Sequence, residues 1–585
     1  MRARNSKDFH PSKKGYRSGD ENGNCGSENS FEGILEPLKK AGPIHLSILI
    51  IMILAGAFLR FSSLSDSSIG TDEAEKFMAV EDYREGRFWV DLEHPPLEKY
   101  LILVSTSLLG DEDWTIKLPN VIIGSLIPLA LFLVGTRTGK NLWVGHTCAA
   151  IGALSPILIG YSLVAKEDTL VNFLSLLALL FLSVSLESDR EYRKSSYEKL
   201  DGKPDWVRIR KTIHPKNLDG YAITAAFLSG LALASKYTFV FYGFSWVLVI
   251  FLMDRTWFRR KGPAFLFIMM VTFLLLSWYY LNPYWLALGI GHWLWESATG
   301  HSTYFLGETY TYPPLWFYPV TFFGRVAPLI TIGGFLTTIF YLLKLPWIHG
   351  KSESGIRPRK RGIFYKEYTK HNNMRTDENL KNRLGNRFSV DPLKYMLLSW
   401  VLVCFLIMTL LPFKGIRYVQ WIIPPLIVVT SFGLWKTLSF VSSRIRGITV
   451  LSIAILLMIP ALSNADPNYR EVTYFLGSES GMKDLDGQGF KQTFDWMEEN
   501  DLDGKVSVRW EKLGSYYWEN VTGPVYNITE ASDKDVSYIL IYRADLNRGI
   551  EEKFTEFART QEGVFNHDHD GYKLVWLYRV DHEEQ

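Results

Sequence analysis

Residues 65–99 read SDSSIGTDEAEKFMAVEDYREGRFWVDLEHPPLEK, an acidic segment closed by two prolines that leaves the first long apolar run of the chain. It carries the adjacent carboxylates Asp72 and Glu73 and the turn His94-Pro95-Pro96-Leu97. Ionisable groups gathered beside a membrane helix are costly and mark functional sites, whereas a plain charge run is a solvated face. Which of the two applies depends on what surrounds the segment.

Upstream, Ile44 to Phe61 is apolar and has the length of a membrane crossing. Lys39 and Lys40 precede it, so the positive-inside rule puts residues 1–43 in the cytoplasm and the 65–99 segment outside. The tail is polar, without an apolar h-region or a small-residue cleavage site, and reads as disordered. Downstream, Leu97–Leu109 is too short to span and reads as a helix on the outer surface. Spans are then expected at Ile116–Val134, Leu142–Ala165, Leu170–Leu186, Tyr221–Ser235, Phe239–Met253, Pro263–Trp285, Leu315–Leu343, Tyr395–Leu411, Val419–Phe440 and Gly447–Leu462.

The total is about 11 spans. Every strongly basic loop, 187–217, 255–261 and 344–391, falls on the cytoplasmic side, and the C-terminus is left outside. The expected architecture is therefore a mainly α polytopic membrane protein with a small C-terminal α/β unit. Its domains are the tail 1–43, a membrane domain 44–464 with outer loop 62–115 and cytoplasmic loop 344–391, and an extracytoplasmic domain 465–585. In the last, strands are expected at Lys505–Trp510, Ser537–Tyr542 and Lys573–Arg579, and helices at Gly489–Glu499 and Arg548–Arg559. Asn520-Val521-Thr522 and Asn527-Ile528-Thr529 are glycosylation sequons by pattern.

The net charge is only +2 over 585 residues, and its distribution between loops is what informs. Cys25 lies in the tail, and Cys148 and Cys404 lie inside apolar runs, so no disulfide framework is available to the polar parts. The chain has no P-loop, no strand-linked G-x-G-x-x-G and no H-E-x-x-H, which removes support for an ATP-driven pump or a zincin. No nucleic-acid partner is read from it.

Four further stretches occur in order: Thr71-Asp72-Glu73, Val90 to Lys99, Lys117-Leu118-Pro119-Asn120 and Ala165-Lys166-Glu167-Asp168-Thr169-Leu170. With Gly300-His301-Ser302-Thr303-Tyr304 and Arg417-Tyr418, this ordered set resembles the protein O-mannosyltransferase superfamily. These are GT-C membrane glycosyltransferases that use polyprenyl-phosphate sugars, and they include bacterial relatives that modify lipid A. The resemblance runs over roughly Ile44 to Phe440 and implies a GT-C-type membrane fold. Departures are visible. The 286–314 loop is short where eukaryotic protein-modifying members carry a large domain, and Glu98 stands where a glycine is common. The Trp-Trp-Asp-Tyr-Gly motif of the oligosaccharyltransferases is absent, which argues against en bloc glycan transfer.

The resemblance implies transfer of a sugar, mannose or another hexose, from a polyprenyl- or dolichyl-phosphate donor to a hydroxyl of a protein, a lipid or a lipid-linked glycan. A lipid phosphate leaves as a stabilised anion without protonation, so one carboxylate base and one cationic clamp suffice, with inversion at the sugar carbon. By resemblance Asp72 is the base, and Glu73 tunes it or holds the acceptor; two carboxylates this close tend to raise one pKa. The donor phosphate is expected elsewhere, on Arg417.

Substrate-contact candidates are His94, Lys99, Lys166, Glu167, Asp168, His301, Arg325 and Arg417. Each has a second reading. His94 with its prolines also makes a rigid turn, Lys166 to Asp168 also suit snorkelling and a helix start, and Arg417 also suits an interfacial anchor. Arg325 sits inside a span and needs an anionic or carbonyl partner. No cofactor is fixed by these residues; a divalent metal ion is the candidate, at Lys166-Glu167-Asp168 or at His301 and Glu308. The expected location is an integral, multi-pass position in the plasma membrane, in contact with membrane lipids. Two other classes compete: a transporter or flippase of lipid-linked glycans, with ionisable groups along a mid-membrane path, and a scaffold in which Asp72 and Glu73 have no role.

Overall fold

The structure, a computed structural model, describes residues 38–39, 41–65, 68–198, 218–299, 303–306, 308–343, 391–412, 414–463, 487, 489–509, 511–518, 525–527, 536–542, 562–569 and 572–580. Within these the chain is mainly helical, with a small sheet near its end. The first apolar run forms α1 (Pro43–Phe61), started by a proline at a position whose N–H has no helical partner. The 65–99 segment then folds back as α2 (Thr71–Arg84), and Leu97–Leu109 is a separate helix, α3.

Helix α4 (Asp113–Gly139) exceeds the expected span by just under a turn at its start and by more than a turn at its end. The run Leu142–Ala165, expected as one span, is two helices, α5 (Leu142–Leu154) and α6 (Pro156–Ser162), bent by 57°. Proline supplies no N–H and pushes the residue before it out of the helical region, and Ser155 accordingly has ψ 112°. Helix α7 (Glu167–Glu198) begins at the expected charged turn, with Glu167 and Asp168 favourably placed in its first turn.

Helices α8 (Gly220–Ser235) and α9 (Phe239–Met253) match the sequence reading closely. The basic stretch 255–261, expected as a loop, is instead the first two turns of α10 (Arg255–Leu276). The reason is local: the Asp254 side chain accepts from Trp257 N–H at 3.1 Å and starts the helix early. A short 3₁₀ turn at Trp278–Leu281 and α11 (Pro283–Thr299) follow, then a hairpin of β1 (Thr303–Phe305) and β2 (Glu308–Tyr310). The expected span Leu315–Leu343 is also broken, into α12 (Phe317–Arg325) and α13 (Pro328–Leu343), again at a proline. The last membrane-type helices are α14 (Pro392–Leu410), α15 (Ile423–Thr437) and α16 (Ser443–Ser463), with a 3₁₀ helix at Ile416–Trp421 before α15.

Five of these helices, α1, α4, α7, α14 and α16, are long and apolar enough to cross a membrane, or six if the bent α5–α6 pair is one span. Helices α8, α9 and α13 are apolar but shorter. The centre of the bundle is packed at backbone distance: a Cβ on Gly145 of α5 would lie 2.0 Å from Thr136 Oγ1 of α4. Small residues of this kind let helices approach where apolar burial alone gives little specificity.

Near the end of the chain a five-stranded mixed sheet has the order β4 (Val525–Asn527), β3 (Val506–Val508), β5 (Tyr538–Tyr542), β7 (Tyr572–Arg579), β6 (Phe565–His569). Strand β3 is parallel to both neighbours, and the pairs β5–β7 and β6–β7 are antiparallel. Among the described residues, helices α17 (Phe490–Glu499) and α18 (Glu511–Trp518) belong to the same unit. The three expected strands and the first expected helix have counterparts here, and β4 and β6 are additions. The expected helix 548–559 lies outside the described residues.

Candidate active site

The site is built on the first turn of α2. Gly70 precedes the helix, and its N–H donates to Glu73 Oε2 at 2.7 Å. The other oxygen, Oε1, accepts from Ala165 N–H at 2.7 Å. Glu73 is fully buried, so these two backbone donors neutralise the cost of holding a carboxylate there. This side chain, expected to tune Asp72 or hold an acceptor, ties α2 to the turn that carries Lys166. The same turn is held from the other side by Asn120 of α4, whose Nδ2 donates to Val164 O at 2.7 Å and Lys166 O at 2.8 Å.

Lys166 is thereby aimed at Asp72, with Nζ 2.9 Å from Oδ2. Arg417, 345 positions along the chain, brings Nη1 to 2.5 Å from the same oxygen. It is carried by the 3₁₀ helix 416–421, whose approach is fixed by Lys414 Nζ donating to Pro313 O at 2.9 Å and by Thr303 Oγ1 of β1 donating to Lys414 O at 3.0 Å. Burial opposes ionisation of Asp72, but Lys166, Arg417 and Lys76 outweigh it and hold the carboxyl well below the usual carboxylate range. The Asp72 and Arg417 side chains remain 27% and 26% exposed. Arg417 and Asp72, expected as a phosphate clamp and a base held apart, thus lie in direct contact.

Behind this pair is a second layer. Lys76 Nζ lies 3.1 Å from Glu167 Oε1 and donates to Asp72 O at 3.3 Å. Lys236, just past α8, lies 2.7 Å from Asp168 Oδ2, and Trp421 Nε1 donates to Asp168 Oδ1 at 3.0 Å. Glu167 and Asp168 are therefore engaged by ammonium groups, so a metal there would have to displace them.

The His-Pro-Pro turn is a neighbouring construction. Asp91 has φ +50°, a left-handed conformation that Asp tolerates better than most residues. Lys99, fully buried, donates to Asp91 O at 2.6 Å, His94 O at 3.0 Å and Asp91 Oδ2 at 3.1 Å. It is fully occupied in pinning the turn. His94 Nδ1 is 3.1 Å from Asp91 Oδ1, and Glu93 pairs with His292 of α11. Tyr280 OH donates to Leu92 O at 2.8 Å. Burial works against the Asp91 carboxylate, yet Lys99 and His94 bring it down to about 2. For His94, burial and Lys76 oppose the charge while Glu167 and Asp91 favour it, and the ring ends above its ordinary value.

Asp91, Glu93 and His94 each offer one donor atom, all within 4.8 Å of one another. Among the described residues this is the group whose donor atoms lie close enough together to hold a metal ion, at the cost of the Lys99–Asp91 pair, and it differs from both positions the sequence suggested. Glu98, beside Lys99, is wholly buried with neither oxygen hydrogen-bonded. Burial, reinforced by Glu167, Asp168 and Glu73 and opposed by Lys76, pushes its carboxyl up to about 8, so it is neutral at pH 7.

Two of the remaining candidates lie on other elements. Arg325 closes α12 and is buried there. Glu308 is on β2 and accepts from Tyr310 OH at 2.6 Å. His301 lies outside the described residues. Conversely, Lys76, Asn120, Lys236, Trp421, Asp91, Glu93 and His292 were not among the expected site residues. Lys76 had a signal, since it is one helical turn from Asp72, and so did Lys236, a cation at the end of an apolar helix.

Comparison with known proteins adds the following. A search of curated sequences gives no match. Among solved structures the chain is similar to ArnT from Cupriavidus metallidurans bound to undecaprenyl phosphate, at 14% identity over 90% of this chain and 97% of that one, with a TM-score of 0.47. It is likewise similar to the apo state of the same protein, at 15% identity over the same shares, with a TM-score of 0.48. Residues 93–194, a stretch that includes His94, Lys99, Asn120 and Lys166 to Asp168, match the family of dolichyl-phosphate-mannose-protein mannosyltransferases.

Proposed function

We propose that the chain is a membrane glycosyltransferase that moves a sugar from a polyprenyl-phosphate donor to an acceptor hydroxyl, with Asp72 as general base. Mannose or another hexose is the sugar, and a protein, a lipid or a lipid-linked glycan is the acceptor. One observation carries the reading: Lys166 and Arg417 converge on a single oxygen of the partly exposed Asp72 side chain. The family matched by residues 93–194 supports the donor class.

With no donor bound, Asp72 is a weak base because two cations hold its charge. A donor phosphodiester is a competing anion. As its oxygens take up Lys166 and the guanidinium fork of Arg417, Asp72 loses that stabilisation and its proton affinity rises. The acceptor hydroxyl oxygen then bonds to the anomeric carbon from the face opposite the phosphate. Its proton passes to Asp72, the sugar–oxygen bond to phosphate breaks, and the lipid phosphate leaves as an anion held by the same cations. Configuration inverts in this single displacement. The topology that accompanies it puts 187–217 and 344–391 in the cytoplasm and the site and 465–585 on the outer face.

A flippase would carry its ionisable groups along a mid-membrane route. The groups around Asp72 sit instead at helix ends, on the first turns of α2 and α7 and just past α8. The test uses purified protein in nanodiscs with radiolabelled polyprenyl-phosphate mannose. Asp72→Asn keeps shape but accepts no proton, and transfer should fall by about 10²–10⁴-fold. Wild-type transfer by a folded Asp72→Asn protein would overturn the reading.

A further inference from the structure

Helix α2 has two packed faces, and only one belongs to the membrane helices. Glu73, Asp72 and Lys76 face the turn 165–167 and Arg417. On the other face, Ile69 and Ala74 are wholly buried in one apolar core with Phe490, Phe494, Leu513 and Val575 of the C-terminal unit. The Phe77 ring meets Tyr516 edge-on at 5.4 Å, and Lys512 Nζ lies 3.2 Å from Glu75 Oε1.

The decisive contact is at the turn into the helix. Ile69 N–H donates to Tyr517 OH at 2.9 Å, and that hydroxyl is 3.1 Å from Asp113 Oδ2. Tyr516 OH donates to Asp113 Oδ1 at 2.8 Å. Asp113 opens α4, the helix whose Asn120 holds the Lys166 turn. A single hydroxyl of α18 therefore bridges the start of the helix that carries Asp72 to the start of the helix that sets Lys166. A second contact is made by backbone alone. Gly487 has φ +80°, and a Cβ there would lie 2.1 Å from Ile69 O and 2.7 Å from Gly70 Cα.

We propose that the C-terminal unit is the positioning element of the transfer site, and that Tyr517 is the positioning residue through which it sets Asp72 against Lys166. The inference rests on the proposed transferase reading for its kinetic consequence, and on geometry alone for its structural one.

Tyr517→Phe in the full-length protein keeps the ring and removes both hydrogen bonds. Its kcat should fall about tenfold, the size of one net hydrogen bond, while KM for the lipid donor stays within about twofold. Hydrogen exchange at residues 69–76 should quicken in the same variant. Trp496→Leu is the control: it loosens the 4.8 Å stack of Trp496 on Phe565 within the unit, and should lower thermal stability without lowering kcat at a temperature where the protein is folded. Wild-type kcat and unchanged exchange in Tyr517→Phe would overturn the proposal, as would an equal kcat loss in Trp496→Leu at equal residual stability. An active Asp72→Asn protein would remove the transferase reading and leave the exchange measurement to judge positioning. An inactive Asp72→Asn with a fully active Tyr517→Phe would defeat the positioning role alone.

Discussion

Buried charge is concentrated at both ends of α7 and α8, and the two ends use it differently. At the Asp219 end, Lys261 lies 2.9 Å from Asp219 and 3.2 Å from Asp189, and Arg190 lies 3.6 Å from Asp254. The acids there also build the fold: Asp219 accepts from Ala222 N–H at 2.8 Å to start α8, and Asp254 starts α10. At the Asp72 end, the buried Glu73 does such structural work, but Asp72 does not. It has two cations on one oxygen and keeps contact with solvent. Burial of charge alone does not mark a site. Exposure does not separate the ends either, since the Asp219 side chain is 30% exposed against 27% for Asp72; what does is an anion that holds two cations and starts no helix.

The strongest way to break that comparison is to remove a cation from each end. Lys166→Met should reduce transfer by about 10²–10³-fold, the usual cost of losing one preorganised charge stabiliser. Lys261→Met should leave transfer per folded molecule within about twofold and act on thermal stability instead. Equal losses in labelled-donor assays would erase the distinction.

Glu98 sharpens it, as a buried carboxyl that has no cation of its own. In the unfolded chain it ionises above about 4.5, while in the fold it stays protonated to about 8. Between those values the native state binds more protons, so stability falls as pH rises, by at most about 1.4 kcal/mol per pH unit. Glu98→Gln removes this slope. Its melting temperature should equal that of the parent near pH 4.5 and exceed it at pH 8; a gap that does not vary with pH would show Glu98 ionised in the fold.

Arg417→Lys keeps charge and loses the bidentate fork, so donor KM should rise about tenfold, with Arg417→Ala worse. Three indistinguishable KM values would make Arg417 an anchor. The smallest effect is expected at the structural end, where Asp219→Ala should cost about 1 kcal/mol as a lost helix cap and leave donor KM untouched.

How much of this was legible from residues alone follows from how far each contact reaches. The helix Leu97–Leu109 and the charged turn before α7 were visible because length and charge are local signals, whereas helix α2 was not expected from its acidic segment. The break at Pro156 was in plain view, yet an all-apolar run has no polar face to show a change of direction, and it read as one span. The ties made by Glu73 went unread for a related reason: its capping partner is Gly70, which lacks the side chain of the usual capping signature. Arg417 was singled out, but nothing local could say that it would meet Asp72 at a separation of 345 residues. The Lys76–Glu167 and Lys236–Asp168 pairs are long-range in the same sense.

The shared core between Ile69, Ala74 and the C-terminal sheet has a consequence for the order in which the molecule is made. Residues 69–74 leave the ribosome more than four hundred positions ahead of Phe490, Tyr517 and Val575, the side chains that enclose them. Until those arrive, the turn before Asp72 has its ties to Ala165 and Lys166 but lacks the described side chains that enclose its other face. The proposed transfer site is therefore finished last, by the final fifth of the chain, and a truncated product carries the residues that meet Asp72 yet lacks the clasp that closes the turn.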